Sequence, residues 1–370
     1  MTFLWRDGAP GAGAAVITQL APRLRGTGAA PLARLPASDV WYGTFRTRAD
    51  TRTTYWLSVT AAAPAGPDDG WVVDDAHWRA DPRNPRTTPE VPPASLLSLP
   101  AAPTPRWSVA RPGVPPGRLA EQRLRSTILG NERRVWVYTP PAGDRAEGPA
   151  DLLVLFDGWA YAHLVPTAAI LDNLTAAGRL PPTVAVLVGN PDAAARQREL
   201  GCHESHAAFV AEELLPWVRA RWAVAADPAR CVVGGSSRGA LAAAFVALRR
   251  PDRFGHALCQ SGAFAYRPEG DPEPEWLARQ VAAAPRAPVR FHLDVGLLET
   301  GAEGGDVPTL LTANRHLRDV LRAKGYAVHY GEFAGGHSYA CWELTLPEGL
   351  LALRGADGTH APGGVPGGAR

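Results

Sequence analysis

The 370-residue chain is nearly devoid of lysine and methionine. Lys324 is its single lysine and Met1 its single methionine, so its 38 basic residues are almost all arginine. Genome composition explains that bias as readily as chemistry does. Against 36 acidic residues the formal charge is +2, too balanced for a chain that tracks a phosphate backbone. Cysteine is also scarce. Cys202, Cys231, Cys259 and Cys341 form no C-x-x-C pair, which excludes a disulfide-dense scaffold and argues against a zinc ribbon or thioredoxin motif. No His/Asp/Cys cluster has ligand spacing, so no metal or other cofactor is expected. The longest apolar runs, Leu152 to Phe156 and Ala240 to Leu248, fall far short of the ~18 residues that span a bilayer. The first residues, Met1 to Asp7, lack the charged, apolar and small-residue order of an export signal. A soluble cytoplasmic protein with neither nucleic acid nor membrane as partner is expected. Its oligomeric state is not legible.

What is present is an ordinary globular composition, 46% apolar and 20% charged, in a length that predicts two domains. The first hundred residues carry short runs rich in β-branched and aromatic side chains: Ala15 to Leu20, Val40 to Phe45 and Thr53 to Val59. Gly/Pro-rich segments separate them, which predicts a small β-sandwich over residues 1–81. Eleven of the 36 prolines then fall between Pro82 and Pro116, predicting a semi-rigid extended linker over 82–118. Within it the Ser95 to Leu99 patch is expected to pack on a domain surface.

Beyond residue 119 strands alternate with helices. Arg134 to Thr139 reads as a strand with two unlike faces, and Leu152 to Phe156, Val184 to Val188, Cys231 to Val233 and Val289 to Val295 as strands buried on both faces. Val210, Leu214, Val218 and Trp222 recur every four residues in a helix that Pro216 should start or kink. Ala240 to Leu248 and Thr309 to Lys324 read as further helices. The expected fold class is α/β, an α/β-hydrolase three-layer sandwich over 119–353 with the small N-terminal β-sandwich before it. A loose tail is expected over 354–370.

The most informative segment is Gly235-Ser236-Ser237-Arg238-Gly239, a G-x-S-x-G sequence between a strand and a helix. That context is what a nucleophile elbow requires, and its register selects Ser237 over Ser236. A serine hydroxyl needs a base. Of the six histidines after Ser237, His256, His292, His316 and His329 lie in or beside predicted elements, and His360 lies in the tail. His337, in a glycine-flanked loop after the strand Val328 to Phe333, is the expected base. For the acid, Glu299 just past the strand Phe291 to Val295 leads, with Asp306 and Asp294 as alternatives; a Ser–His pair without an acid also stays open. The oxyanion hole needs two backbone N–H groups. Arg238, next after the serine, should supply one. Trp159, in the loop Asp157-Gly158-Trp159-Ala160-Tyr161 after a core strand, should supply the other, with Gly158 letting the backbone approach the substrate.

These segments resemble the enterochelin (ferric enterobactin) esterases, within the esterase D-like α/β hydrolases. The likeness runs through Leu153 to Gly158, Leu180-Pro181-Pro182, Arg198-Glu199-Leu200, Glu213 to Pro216, Pro251 to Gly255, Gln260-Ser261-Gly262 and Gly335-Gly336-His337 to Trp342. Thr2 to Arg6, Val40-Trp41 and Asp81 to Pro85 are similar to that family's N-terminal β-domain. The resemblance implies a cytoplasmic serine esterase that opens the trilactone of a catecholate siderophore and so releases iron after uptake. It implies Ser237 as nucleophile, His337 as base and Glu299 at the family's acidic position. The partner is then a small-molecule siderophore ester, iron-loaded or iron-free. Two departures stand out: Arg238 replaces the usual aromatic or apolar residue, and Ser338 replaces an acidic one. Both make the site less acidic, so Arg196, Arg198 and Arg238 become candidates for holding a polyanion. Arg198 is equally readable as an ion pair with Glu199. Trp159, Tyr161 and Trp342 are candidates for stacking on catechol rings, with core packing as the alternative. Related acyltransferases or biosynthetic thioesterases, and a non-catalytic siderophore- or glycan-binding protein, are the competing readings.

Overall fold

Alternation of buried and exposed side chains organises the N-terminal strands. A computed structural model describes residues 1–6, 13–18, 20, 29–60, 78–141, 148–301 and 307–355. The strand β1 (Thr2–Arg6) buries Phe3 and exposes Thr2, Leu4 and Arg6. It is followed by β2 (Gly13–Thr18), β3 (Ala29–Pro31), β4 (Ala33–Arg34), β5 (Val40–Thr44), β6 (Arg52–Thr60), β7 (Trp78–Arg79), β8 (Thr87–Thr88) and β9 (Ala94–Ser98). Among the described residues these form a three-stranded sheet, β1-β5-β4, and a second sheet ordered β3-β2-β6-β9-β8 with β7 on β6. Phe3, Ala14, Leu32, Tyr55, Leu57 and Leu97 form the core that the two sheets share.

The expected linker is therefore partly sheet. Residues 95–98 pair antiparallel with β6, and Thr87–Thr88 pair with β9. The patch expected to pack on a domain surface is itself a strand of that domain, with Leu97 buried. Proline-rich sequence tolerates this because the prolines flank the paired residues rather than interrupt them. Pro92 contributes only its carbonyl, which accepts from Trp56 Nε1 at 3.1 Å.

The later strands are β10 (Arg118–Ser126), β11 (Asn131–Thr139), β12 (Asp151–Phe156), β13 (Thr183–Val188), β14 (Cys231–Ser236), β15 (His256–Gln260), β16 (Arg290–Gly296) and β17 (Val328–Phe333). The helices are α1 (Gly158–His163), α2 (Thr167–Ala176), α3 (Ala193–Glu199), α4 (Glu204–Phe209), α5 (Leu215–Arg219), α6 (Arg238–Arg249), α7 (Trp276–Ala283), α8 (Leu310–Ala323) and α9 (Tyr339–Arg354). Among the described residues the strands form one sheet in the order β10-β11-β13-β12-β14-β15-β16-β17. β12, β13, β14, β15 and β16 pair in parallel, and every residue of β12, β13 and β14 is buried. This is the α/β-hydrolase sheet. Its order breaks between β12 and β14, so the loops that leave these adjacent strands emerge side by side.

The helix expected around Pro216 divides into α4, a wide π-helical turn over Val210–Leu214, and α5. Pro216 falls in the first turn of α5, where a missing N–H costs no helical bond.

By contact density the chain separates into two compact units. One contains Met1–Thr104, Val295–Ala313 and Glu332–Cys341; the other contains Pro105–Asp294, Asn314–Gly331 and Trp342–Arg370. Among the described residues no helix is long and apolar enough to cross a membrane, and no group of three His, Cys, Asp or Glu side chains could hold a metal ion.

The core of the second unit contains an ionisable cluster. Arg133 and Glu199 are paired at 2.9 Å with both side chains fully buried, and the Arg133 guanidinium lies 4.5 Å from the Phe209 ring centre. His206 packs between the Phe156 and Phe209 rings, and burial with the nearby Arg133 charge pushes its pKa down to about 3. The folded protein keeps His206 neutral where the unfolded chain, with the ordinary value of 6.5, takes up a proton. Stability is thus expected to fall as pH drops from about 6.5 towards 3. This one group should cost about 2 kcal/mol between pH 7.5 and pH 5. Urea titrations of wild type and His206→Leu at both pH values check it: the variant should lose that part of the pH slope.

Candidate active site

In the second unit, β14 ends at Ser236 and α6 begins at Arg238, leaving Ser237 alone in the turn. Its backbone sits at φ 55°, ψ −119°, a conformation that costs a non-glycine residue about 1–3 kcal/mol. Two bonds hold it there. Ser237 N–H donates to the Gln260 carbonyl at 2.9 Å, and the Ser237 carbonyl accepts from Ala263 N–H at 3.0 Å. A Cβ on Gly235 would lie 2.7 Å from the Gly239 carbonyl carbon, so only glycine lets the turn close this tightly. Ser237 and Arg238 are partly exposed, whereas Ser236 is buried, which settles which of the two serines the turn presents.

The loop after β12 lies alongside this turn. A Cβ on Gly239 would be 3.4 Å from Asp157 Oδ2 and 3.5 Å from Phe156 Cβ. Asp157 occupies the left-handed region at φ 56°, ψ 45° and caps the start of α1. Its carboxylate accepts from Asn190 Nδ2 at 2.7 Å and from the Arg196 fork at 2.7 and 2.8 Å. Trp159 and Arg238 both fall in the first turn of a helix, where backbone N–H groups have no partner within the helix.

In the first unit, Glu299 and His337 meet. His337 Nδ1 donates to Glu299 Oε2 at 2.9 Å, and Glu299 Oε1 accepts from Gly296 N–H at 2.8 Å. The Glu299 side chain is fully buried and that of His337 is 24% exposed. With Nδ1 carrying its proton, Nε2 is left as the basic nitrogen. Of the other acids considered, Asp294 is buried in β16 with its carboxylate 3.2 Å from His292 Nε2, and Asp306 lies outside the described residues.

A strained serine on a strand–helix turn and a carboxylate-bound histidine are the parts of a serine hydrolase. The family described as "Putative esterase" matches residues 126–353, and "Enterochelin esterase, N-terminal" matches residues 1–108. An iron(III) enterobactin esterase of Dickeya dadantii is 32% identical, covering 98% of this chain and 89% of that protein. The chain belongs to the enterochelin esterases. Among solved structures, the ferric enterobactin esterase of Salmonella typhimurium superimposes with a TM-score of 0.81 at 28% identity, covering 95% of this chain and 92% of that one. The enterobactin esterase of Shigella flexneri, crystallised in the presence of enterobactin, gives 0.78 at 29% identity with the same coverage.

For this esterase several expected substrate contacts prove to be structural. Tyr161 is fully buried, and its hydroxyl donates to Gln260 Oε1 at 2.7 Å. Trp342 is 3% exposed and donates from Nε1 to Ser261 Oγ at 3.0 Å. Both rings therefore belong to the core, where no catechol could stack on them. Arg196 is engaged by Asp157 in a bidentate ion pair, with its side chain 31% exposed. Arg198 is 55% exposed and 3.8 Å from Glu199, whose carboxylate is already bound by Arg133. The Arg238 side chain lies over the Tyr266 ring at 5.3 Å and donates to the Gln197 carbonyl at 3.3 Å. Gly158 is buried at the start of α1. Trp159 is the aromatic of this group that stays exposed, at 46%, stacked on His163.

Gln260 went unmarked as a support of the site. Besides its bond to Ser237, its side-chain amide donates to the Trp342 carbonyl at 2.9 Å and to Thr345 Oγ1 at 2.6 Å. Its place at the end of a buried strand, one strand from the elbow, is the signal that could have found it.

Gly235→Ala is expected to destabilise the fold by about 1–3 kcal/mol, since its Cβ meets backbone that cannot swing aside. It should also slow labelling of Ser237 by a fluorophosphonate. Gly331→Ala, with no atom within 4 Å of the new Cβ, is the control expected to change stability by less than about 0.5 kcal/mol. Denaturant melts and labelling rates measure both.

Proposed function

We propose that this esterase hydrolyses the trilactone of a catecholate siderophore such as enterobactin in the cytoplasm, freeing iron after uptake. The observation that carries the choice of ester is the length of its match to a protein named for iron(III) enterobactin: 98% of this chain, both family segments included. The bound Glu299–His337 pair supports the chemistry.

In this reading Ser237 Oγ attacks an ester carbonyl carbon while its proton passes to His337 Nε2. Glu299 accepts the Nδ1 proton's hydrogen bond, keeps the ring in the tautomer with Nε2 unprotonated, and stabilises the imidazolium that forms. The N–H groups of Arg238 and Trp159 receive the developing oxyanion. The carbon–oxygen ester bond breaks, and His337 gives its proton to the departing alkoxide. Water then attacks the acyl-serine with His337 again as base, releasing a carboxylic acid and restoring Ser237. The catalytic domain spans residues 119–353. The N-terminal β-domain extends past residue 81 to include β8 and β9.

A fluorophosphonate should label the wild type and leave Ser237→Ala unlabelled, and that variant should lose at least about 10³-fold in kcat. Enterobactin, its linear trimer, the ferric complex and a simple aryl ester, assayed side by side, test the substrate. Faster turnover of a siderophore ester than of the aryl ester is expected. Equal rates would overturn the siderophore assignment, and an unlabelled wild type would overturn the serine mechanism.

A further inference from the structure

The histidine of this site sits in the loop 334–338 between β17 and α9, and one N-terminal residue grips the chain on both sides of it. Arg52, the first residue of β6, donates its backbone N–H to the Ala334 carbonyl at 2.9 Å, where the loop begins. Its side-chain Nε donates to the Ala340 carbonyl at 3.1 Å, in the first turn of α9. Its own carbonyl accepts from Cys341 Sγ at 3.1 Å. Arg52 and Gly335 form a parallel bridge, and a Cβ on Gly335 would stand 2.5 Å from the Arg52 carbonyl oxygen. The partners at the far end are 288 and 289 residues away in sequence.

A buried arginine is expensive unless its donors are met, and Arg52 is only 8% exposed. Packing alone would be served by an apolar side chain. What the guanidinium adds is direction, because a planar donor on a fixed stem can satisfy a chosen carbonyl. The end of β17 and the loop are also tied to the segment carrying the acid: Leu297 N–H donates to the Phe333 carbonyl and Leu298 N–H to the Gly335 carbonyl, each at 2.9 Å. His337 lies midway between the two gripped ends.

We propose that Arg52 is a positioning residue for the base, holding the loop after β17 and the start of α9 in the shape that keeps His337 on Glu299. The N-terminal β-domain then serves catalysis directly through its strand β6. This rests on the reading of His337 as the base. Arg52 acts through the loop and not on the substrate, so its loss should lower kcat and leave KM nearly unchanged. Misplacement of a catalytic group by about 1 Å can cost as much as about 100-fold.

The test compares wild type with Arg52→Met, which keeps the apolar stem, and Arg52→Lys, which keeps a donor. An aryl ester supplies kcat and KM, and low-field proton NMR supplies the His337 Nδ1–H resonance, assigned by its absence in His337→Gln. Arg52→Met is expected to lose 10-fold or more in kcat with KM within twofold, and to broaden or lose that resonance. Arg52→Lys should recover part of both. A folded Arg52→Met with the resonance intact and kcat within twofold of wild type would overturn the proposal. So would failure of both variants to fold, which would make Arg52 a residue of the fold alone. A wild type inert to aryl ester and fluorophosphonate would sink the esterase reading, while the resonance still reports whether Arg52 holds His337 on Glu299.

Discussion

The backbone of Ser237 is held in a conformation it would not choose. At φ 55°, ψ −119° a serine stores strain that the surroundings must keep in place. The retaining force comes from burial and direction together. β14 is buried along its whole length between β12 and β15, so the strand that delivers the serine has nowhere to relax. Gln260 then fixes the turn through its carbonyl while its side chain is fixed by Tyr161, Trp342 and Thr345. A chain of hydrogen-bonded buried polar groups thus stands behind the partly exposed Ser237. Such networks are rigid when complete and costly when a member is missing, which suits a support better than a contact surface.

Charge is used in the same way. The +2 balance of the chain says nothing about placement, and placement is where the chemistry lies. Each key carboxylate has dedicated donors: Glu299 has Gly296 and His337, Asp157 has Asn190 and Arg196, and Glu199 has Asn131 and Arg133. Desolvated carboxylates are tolerable only on such terms. Arg196 and Arg133 are therefore building material. Of the three arginines that read along the chain as anion holders, Arg196 is engaged in this way, while Arg198 stays 55% exposed.

The candidate site was legible where its chemistry is local. The small residues around Ser237 and the apolar run before it declare a strand–turn–helix, because only that geometry needs glycine on both sides of a serine. His337 stood out for a similar reason, lying between glycines just past a strand. The choice among acids was not local. Glu299 and His337 are 38 residues apart, and nothing in the intervening sequence says which carboxylate will face the ring. Tyr161, in the segment after a core strand, and Trp342, five residues past His337, read along the chain as ligand-stacking aromatics. Their partners, Gln260 and Ser261, lie 99 and 81 residues away and draw both rings inward.

The proline belt marks the same boundary in the other domain. Its composition disfavours a long helix, and among the described residues the segment carries only the short strands β8 and β9. Composition does not reveal that residues between the prolines will find an antiparallel partner in β6, 40 or so residues earlier. By itself the sequence showed the alternation of strand and helix beyond residue 119 and singled out Ser237 and His337 as candidate nucleophile and base, since each follows from steric and apolar patterns a few residues long. Only the tertiary structure decided which acid meets His337, which arginines are engaged, which aromatics are core, and that Arg52 grips the histidine loop. Those outcomes depend on which distant groups exclude water from one another, and short-range patterns carry no record of that.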